Sequence, residues 1–409
     1  MRIFHKYIIL LLSLAIYTWF VGYYVLALLG IAGIVIMSYQ LPKQWNLLIP
    51  LTCLIIGFIL MKYMFASMSK SVPIGYSVFA FNCISFLVDY SKVQQKEKVK
   101  IMDILCYLFF FPKMLCGPIV RFLPFQTQIN NFNKPSKNNL YRAFKIGVYA
   151  AFCKFGLADN ISWIVSGHAY GINAWLSAIV FALQLYLDFF AYSNFAIAFA
   201  VLFGIDLPHS FNSPYRAFSF RDFWKRWNIT ISEWLRDYVY IPLGGSRNVG
   251  KTKSSLNIMA TFLVSGLWHG ATLPFILWGA FHGLLVIGER PLLTKLETNY
   301  VTKHAYRVLV VLIVAMLWQL FRLENIGDVT LFLGNLFTLA PMDLSVLAYT
   351  IIIGITVWFL DRQACKKLVF TTSEDKQFVY KEVSLVCIMF MATIVLLAQP
   401  SINFFYFKF

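Results

Sequence analysis

Apolar windows with almost no charge, long enough to cross a bilayer, recur along this chain, and no other feature restricts its fold so tightly. A hydrocarbon core about 30 Å thick is spanned by roughly 17–25 residues of apolar helix. Such windows occupy residues 8–38, 44–61, 174–203, 257–288, 344–360 and 383–399. Several are long enough for two helices or one steeply tilted helix, so about ten to twelve membrane segments are expected. Hydrophobic residues make up 59% of the 409 and charged residues 13%, against about a quarter charged in soluble domains. A water-soluble core could not absorb that much apolar surface. The expected fold class is therefore all-α, a polytopic membrane protein.

Lysine and arginine outnumber aspartate and glutamate by 35 to 18. In a soluble protein that excess would raise the question of nucleic acid. Here the cations gather in connecting segments, at 92–100, 134–145, 216–253 and 362–367, which fits positive-inside loops on the cytoplasmic side; membrane lipid is the expected surroundings, and no nucleic acid partner is expected. The opening Met-Arg-Ile-Phe-His-Lys followed by an apolar run superficially looks like a secretory signal. It lacks a small-x-small cleavage site and is expected to be an uncleaved anchor. The seven cysteines, Cys53, Cys83, Cys106, Cys116, Cys153, Cys365 and Cys387, show no paired metal-type spacing, so small buried residues are expected and no metal site. With no equal-period repeat and no low-complexity linker, one membrane domain over 1–409 is expected, its N-terminal membrane helices within 1–70.

The apolar pattern breaks most heavily at GIDLPHSFNSPYRAFSFRDFWKRWNITISEWLRDYVYIPLGGSRNVGKTK, residues 204–253. Pro208 and Pro214 interrupt its start and Pro242-Leu-Gly-Gly its end, leaving residues 220–240 as an expected amphipathic helix. Interfacial rings and snorkelling cations account for Trp224, Trp227, Trp234, Lys225 and Arg226. They do not account for Asp222, Glu233 and Asp237 among the cations, because carboxylates are disfavoured beside anionic lipid and suggest internal pairing or a lined cavity. A second polar interruption is FPKMLCGPIVRF at 111–122, readable as an ordinary loop or as broken backbone buried in protein.

His5 lies at the terminus and His168, His209 and His304 near segment ends, whereas His269 and His282 lie inside apolar sequence. An ionisable side chain within a membrane segment is costly and by default a functional candidate, although either imidazole could instead bond between helices. Neutral imidazole can take a proton from a hydroxyl near neutral pH, which is what acyl transfer to an alcohol requires. Gly270 and Gly283, each following a histidine, let backbone or substrate approach. On one unbroken helix residues 269 and 282 would face opposite sides at about 3.6 residues per turn, and Pro274 makes an unbroken helix doubtful. They are not expected to act as an adjacent pair. Asn228 is a further candidate, since an amide can donate to a developing oxyanion.

Taken in order, FPKMLCGPIVRF at 111–122, LYLDFFAYSNFAIAFAVLFGIDLPHSFNSPY at 185–215, FRDFWKRWNITISEWLRDYVYIPLGGSR at 220–247, SGLWHG at 265–270, WGAFHG at 278–283 and the closing NFFYFKF resemble the membrane-bound O-acyltransferase family, in its bacterial alginate O-acetylation branch. The likeness runs over residues 72–409. It implies membrane, re-entrant and interfacial helices around a central tunnel, in a bacterial cytoplasmic membrane. It also implies His269 as the catalytic residue, Asn228 where the branch usually has histidine and the wider family asparagine, and His282 at a recurrent position of less defined role. The implied donor is an acyl thioester such as acetyl-CoA, with no bound cofactor, and the acceptor is a hydroxyl of an exported or cell-wall polysaccharide, reached with an extracytoplasmic acyltransferase partner. Arg221, Lys225, Arg226 and Arg236, with Trp227, Asp237 and Trp268, are the expected substrate contacts, although topology alone also accounts for the cations.

A resemblance to D-alanyl transfer proteins of teichoic acid synthesis enters through the FxxRW and WHG segments, while IPLGGSR at 241–247 favours polysaccharide O-acetylation. A transporter or flippase would favour internal repeats, which this chain lacks. A non-catalytic scaffold would tolerate replacement of His269.

Overall fold

The computed structural model describes residues 2–38, 45, 47–67, 75–92, 99–114, 117–132, 135–166, 169–247, 249–270, 272–293, 300–323, 325–361 and 376–396. Cys116, Cys365, His168, most of the basic stretches at 92–100 and 362–367, and the closing 403–409 lie outside the described residues. Every regular element among the described residues is helical, in agreement with the expected fold class. Among the described residues four helices are long and apolar enough to cross a membrane, and four shorter apolar helices accompany them.

The chain divides into two compact units, residues 1–147 with 192–209, and 148–191 with 210–407. The first contains α1 (Arg2–Val21), α2 (Tyr24–Met37), α3 (Leu48–Ser67), α4 (Tyr76–Lys92), α5 (Ile101–Phe109), α6 (Phe111–Met114), α7 (Phe122–Asn130) and most of α8 (Lys137–Ala151). Gly22, at φ +60°, divides the window 8–38 into α1 and α2. Its buried charge is satisfied locally: Lys6 donates to Asp103 and Asn130, while Gln126 and Asn130 donate to the other Asp103 oxygen. Among the described residues the interruption at 111–122 is a short helix, 111–114, and a stretch without regular structure at 117–121, and the Lys113 ammonium is buried there against Asn82 Oδ1 at 3.1 Å and the Tyr107 ring at 3.5 Å.

The second unit contains α9 (Ser162–Ser166), residues 172–191 of α10 (Ile172–Leu202), α11 (Phe220–Trp224), α12 (Ile229–Leu235), α13 (Lys251–His269), α14 (Leu273–Gly288), α15 (Tyr300–Trp318), α16 (Ile326–Asn335), α17 (Leu344–Asp361) and α18 (Lys376–Leu396). On α17 Ile352, Ile355 and Phe359 are exposed while Ile353, Val357 and Leu360 are buried. Such an apolar exposed stripe suits a helix with lipid on one side, since soluble monomers rarely carry one of this extent. The Lys154 ammonium lies 2.7 Å from the half-buried Asp159 and 2.6 Å from Asp188, which like Lys154 is buried. Lys154 belongs to a π-helical turn, 152–158, and the ion pairs tie that turn to α10.

The window 257–288 becomes two helices. Gly270 ends α13 in extended backbone, and Pro274 falls in the first turn of α14, where its missing N–H costs nothing. The two helices then pack backbone to backbone. A Cβ on Gly266 would stand 2.4 Å from the Phe275 carbonyl oxygen, and one on Gly279 would stand 2.4 Å from that of Phe262. The glycines that permit the closest approach are therefore Gly266 and Gly279, while Gly270 and Gly283 face the Phe275 ring and the Met259 thioether.

Candidate active site

The polar segment 220–240, expected as one amphipathic helix, is broken. After α11 the chain turns through 225–228, restarts as α12 and ends in a π-helical turn at 236–240. The break centres on Asn228, whose φ of +40° lies in the left-handed region, where asparagine is among the few side chains admitted at modest cost. Its neighbours fix the turn: the Ile229 amide donates to the Ser210 carbonyl at 2.7 Å and the Asn212 amide to the Arg226 carbonyl at 2.9 Å. Asn228 is 6% exposed, and its side chain makes no capping bond to α12. The fold thus buries Asn228 at a backbone break.

The start of α11 is held from a distance. Ser219 accepts the Asp222 amide at 3.0 Å, and the Glu289 carboxylate accepts the amides of Phe220 and Arg221, each at 2.7 Å. Three of the helix's orphan donors are thereby satisfied. Burial pushes the Glu289 carboxyl above the ordinary carboxylate range, and the two amides together with the Tyr306 hydroxyl draw it partly back.

These elements, with α10, α13, α14 and residues 318–321, enclose a cavity of about 400 Å³. Its lining is chemically graded. Arg221, Lys225, Glu233, Arg236 and Arg290 are exposed members of the lining. Trp278, Trp318 and Phe321 are buried members. His269, the last residue of α13, lines the same space as Asn228. The imidazole is half-buried, with its ring 5.1 Å from Trp278, 4.7 Å from Phe321 and 4.2 Å from Trp268.

Of the expected site residues, His269, Asn228, Arg221, Lys225, Trp227 and Arg236 come together on this cavity. Four do not line it. Arg226 pairs with Asp222 at 2.9 Å and reaches the Asn212 carbonyl, Asp237 accepts from Arg236 at 2.8 Å, and Trp268 stands beside His269. His282 is fully buried among Trp224, Trp278 and Trp318. The Trp278 indole lies between the two histidines, 5.1 Å from one ring and 5.0 Å from the other, so they do not form a pair. Sequence reasoning missed Glu289 and Arg290, whose only local signal is a polar pair at the end of an apolar helix. It also passed over Trp278, Trp318 and Phe321, which read there as ordinary apolar positions.

A cationic rim, an apolar floor and an imidazole between them suit a ligand with an anionic head and a short apolar end that reacts near the ring. Over residues 8–326 the chain matches the sequence profile of MBOAT, the membrane-bound O-acyltransferase family. It is 33% identical over 300 residues to the probable alginate O-acetylase AlgI of Pseudomonas putida, covering 70% of this chain and 59% of that relative. It is 32% identical over 266 residues to the peptidoglycan O-acetyltransferase of Helicobacter pylori, covering 56% and 49%. With the teichoic acid D-alanyltransferase of Bacillus subtilis the identity is 26% over 230 residues, covering 52% and 58%. The matched stretch thus spans about half to three fifths of these relatives.

Proposed function

Because the chain belongs to the membrane-bound O-acyltransferase family, we propose that it is a multi-pass O-acyltransferase of a bacterial cytoplasmic membrane, moving an acetyl group from a thioester donor toward hydroxyls of an exported or cell-wall polysaccharide. The observation that carries this reading is His269 on a cavity with cations at its exposed side and aromatic rings at its buried side. His269 takes the proton of an acceptor hydroxyl as that oxygen attacks the thioester carbonyl. The carbon–sulfur bond then breaks, and the departing thiolate receives the proton from the imidazolium. The Asn228 amide, on the same cavity, donates to the oxyanion, an interaction worth about 10²–10³ in rate elsewhere. Arg221, Lys225, Arg236 and Arg290 attract the phosphates of a donor such as acetyl-CoA. The names of the relatives support a cell-surface polymer as the final acceptor, and an extracytoplasmic partner completes the delivery.

The test is His269→Ala at matched membrane abundance, with ester-linked acyl groups on the extracellular polymer released by mild alkali and weighed by mass spectrometry. Loss of one ester supports the reading and names the acyl group; release of alanine would move the assignment to D-alanyl transfer. An unchanged ester pattern, where deleting the whole chain does remove an ester, overturns His269 as the base.

A further inference from the structure

We propose that Trp278 is the stop that limits the length of the transferred acyl group, an inference that rests on the acyltransferase reading above. The cavity itself orients the donor: its cations, Arg221, Lys225, Arg236 and Arg290, are exposed. A thioester held at His269 with its phosphates toward those cations directs its acyl tail at the rings that face the imidazole from the buried side, Trp278 and Phe321.

Trp278 is placed to be a rigid stop. It is fully buried and lies against Trp318 at 5.7 Å, Phe321 at 5.0 Å and Trp224 at 5.6 Å. Its backbone cannot retreat, because the next residue, Gly279, is in close contact with the Phe262 carbonyl on α13. Its indole also separates the cavity from His282, which does not line the cavity and whose two ring nitrogens have no hydrogen-bond partner among the described residues. A chain longer than the space in front of Trp278 therefore meets a ring that cannot swing aside, and behind it an imidazole that an alkyl tail cannot satisfy. Overpacking of this kind is destabilising in well-packed interiors, so the wild-type site discriminates by exclusion.

Truncating the indole adds the volume of the ring to the cavity that it lines. The test uses the parent cell expressing the full chain, grown with hexanoate to raise its pool of six-carbon thioesters, and reads the ratio of hexanoyl to acetyl esters on the extracellular polymer. The wild type is expected to give acetyl esters almost alone. Trp278→Ala is expected to raise the ratio at least tenfold, equivalent to about 1.4 kcal/mol, and the milder Trp278→Phe to raise it by less. An unchanged ratio in both variants, or a wild type that transfers hexanoyl as readily as acetyl, overturns the stop while leaving acyl transfer standing. Loss of every ester in both variants at unchanged abundance also overturns it, because the indole would then serve something other than chain length. If deleting the chain removes no ester at all, the acyltransferase reading falls and the stop falls with it.

Discussion

Glu289 and Arg221 are 68 residues apart, yet the carboxylate of the first accepts the backbone amide of the second at 2.7 Å. The same carboxylate holds the Phe220 amide, so the orientation of α11, and with it the Arg221 side chain on the cavity, depends on the end of α14. Glu289→Ala orphans both donors. At about 1–3 kcal/mol for a buried unsatisfied group, the cost is expected near the upper end of that range. Thermal unfolding in detergent measures it, and Glu289→Gln, which keeps one accepting oxygen, should fall between the two.

Two substitutions separate the conformational role of Asn228 from the chemical one proposed for it. Glycine accepts φ +40° freely but has no amide, so Asn228→Gly should unfold within about 1 kcal/mol of wild type while ester output falls by roughly 10²-fold. Asn228→Ala loses the amide and adds about 1–2 kcal/mol of left-handed strain. Equal ester output from Asn228→Gly and wild type would assign Asn228 to the turn alone.

A methyl group at the α13–α14 crossing has nowhere to go. Gly279→Ala places a carbon 2.4 Å from the Phe262 carbonyl and should cost about 1–3 kcal/mol by overpacking, with loss of ester output because Trp278 shifts against His269. Gly30→Ala, where nothing lies within 4 Å of the new carbon, is the control and should leave both readings unchanged.

Lys154 lies against two carboxylates, the buried Asp188 and the half-buried Asp159, and its removal takes the cation from both. Lys154→Met should destabilise the second unit by about 3–5 kcal/mol and lower membrane abundance. Adding Asp188→Asn should recover part of that loss, measured by quantitative immunoblot of membranes.

Much of this was legible in the sequence because it depends on short-range chemistry. Pro274 makes one unbroken helix from His269 to His282 doubtful, and the carboxylates interleaved at 222, 233 and 237 announce a lined cavity or internal pairing. Both follow from what a residue does to its immediate neighbours. The break at Asn228 was not legible, because asparagine is tolerated in a helix as well as in the left-handed region, and the Ser210 carbonyl that fixes the turn is distant in sequence. Arg290 joins the cavity through tertiary packing, and its only local signal is a polar pair at the end of an apolar helix. Arg226 and Arg236 look alike in sequence and each pairs with a neighbouring carboxylate, Asp222 or Asp237, yet only Arg236 lines the cavity. Which glycines carry the crossing likewise depends on the register between α13 and α14, a tertiary quantity.

The pairing of α13 with α14 also bears on the order of folding. Residues 270–272 alone separate the two helices, so the contacts that set Trp278 against His269 close a short loop, and short loops close early. The His269 ring and the Trp278 ring beside it can be set in place as one hairpin while the segments from residue 300 onward are still being synthesised. Slow steps in biogenesis should then belong to the later helices that enclose the site, and a chain truncated after residue 293 should already protect the hairpin from protease.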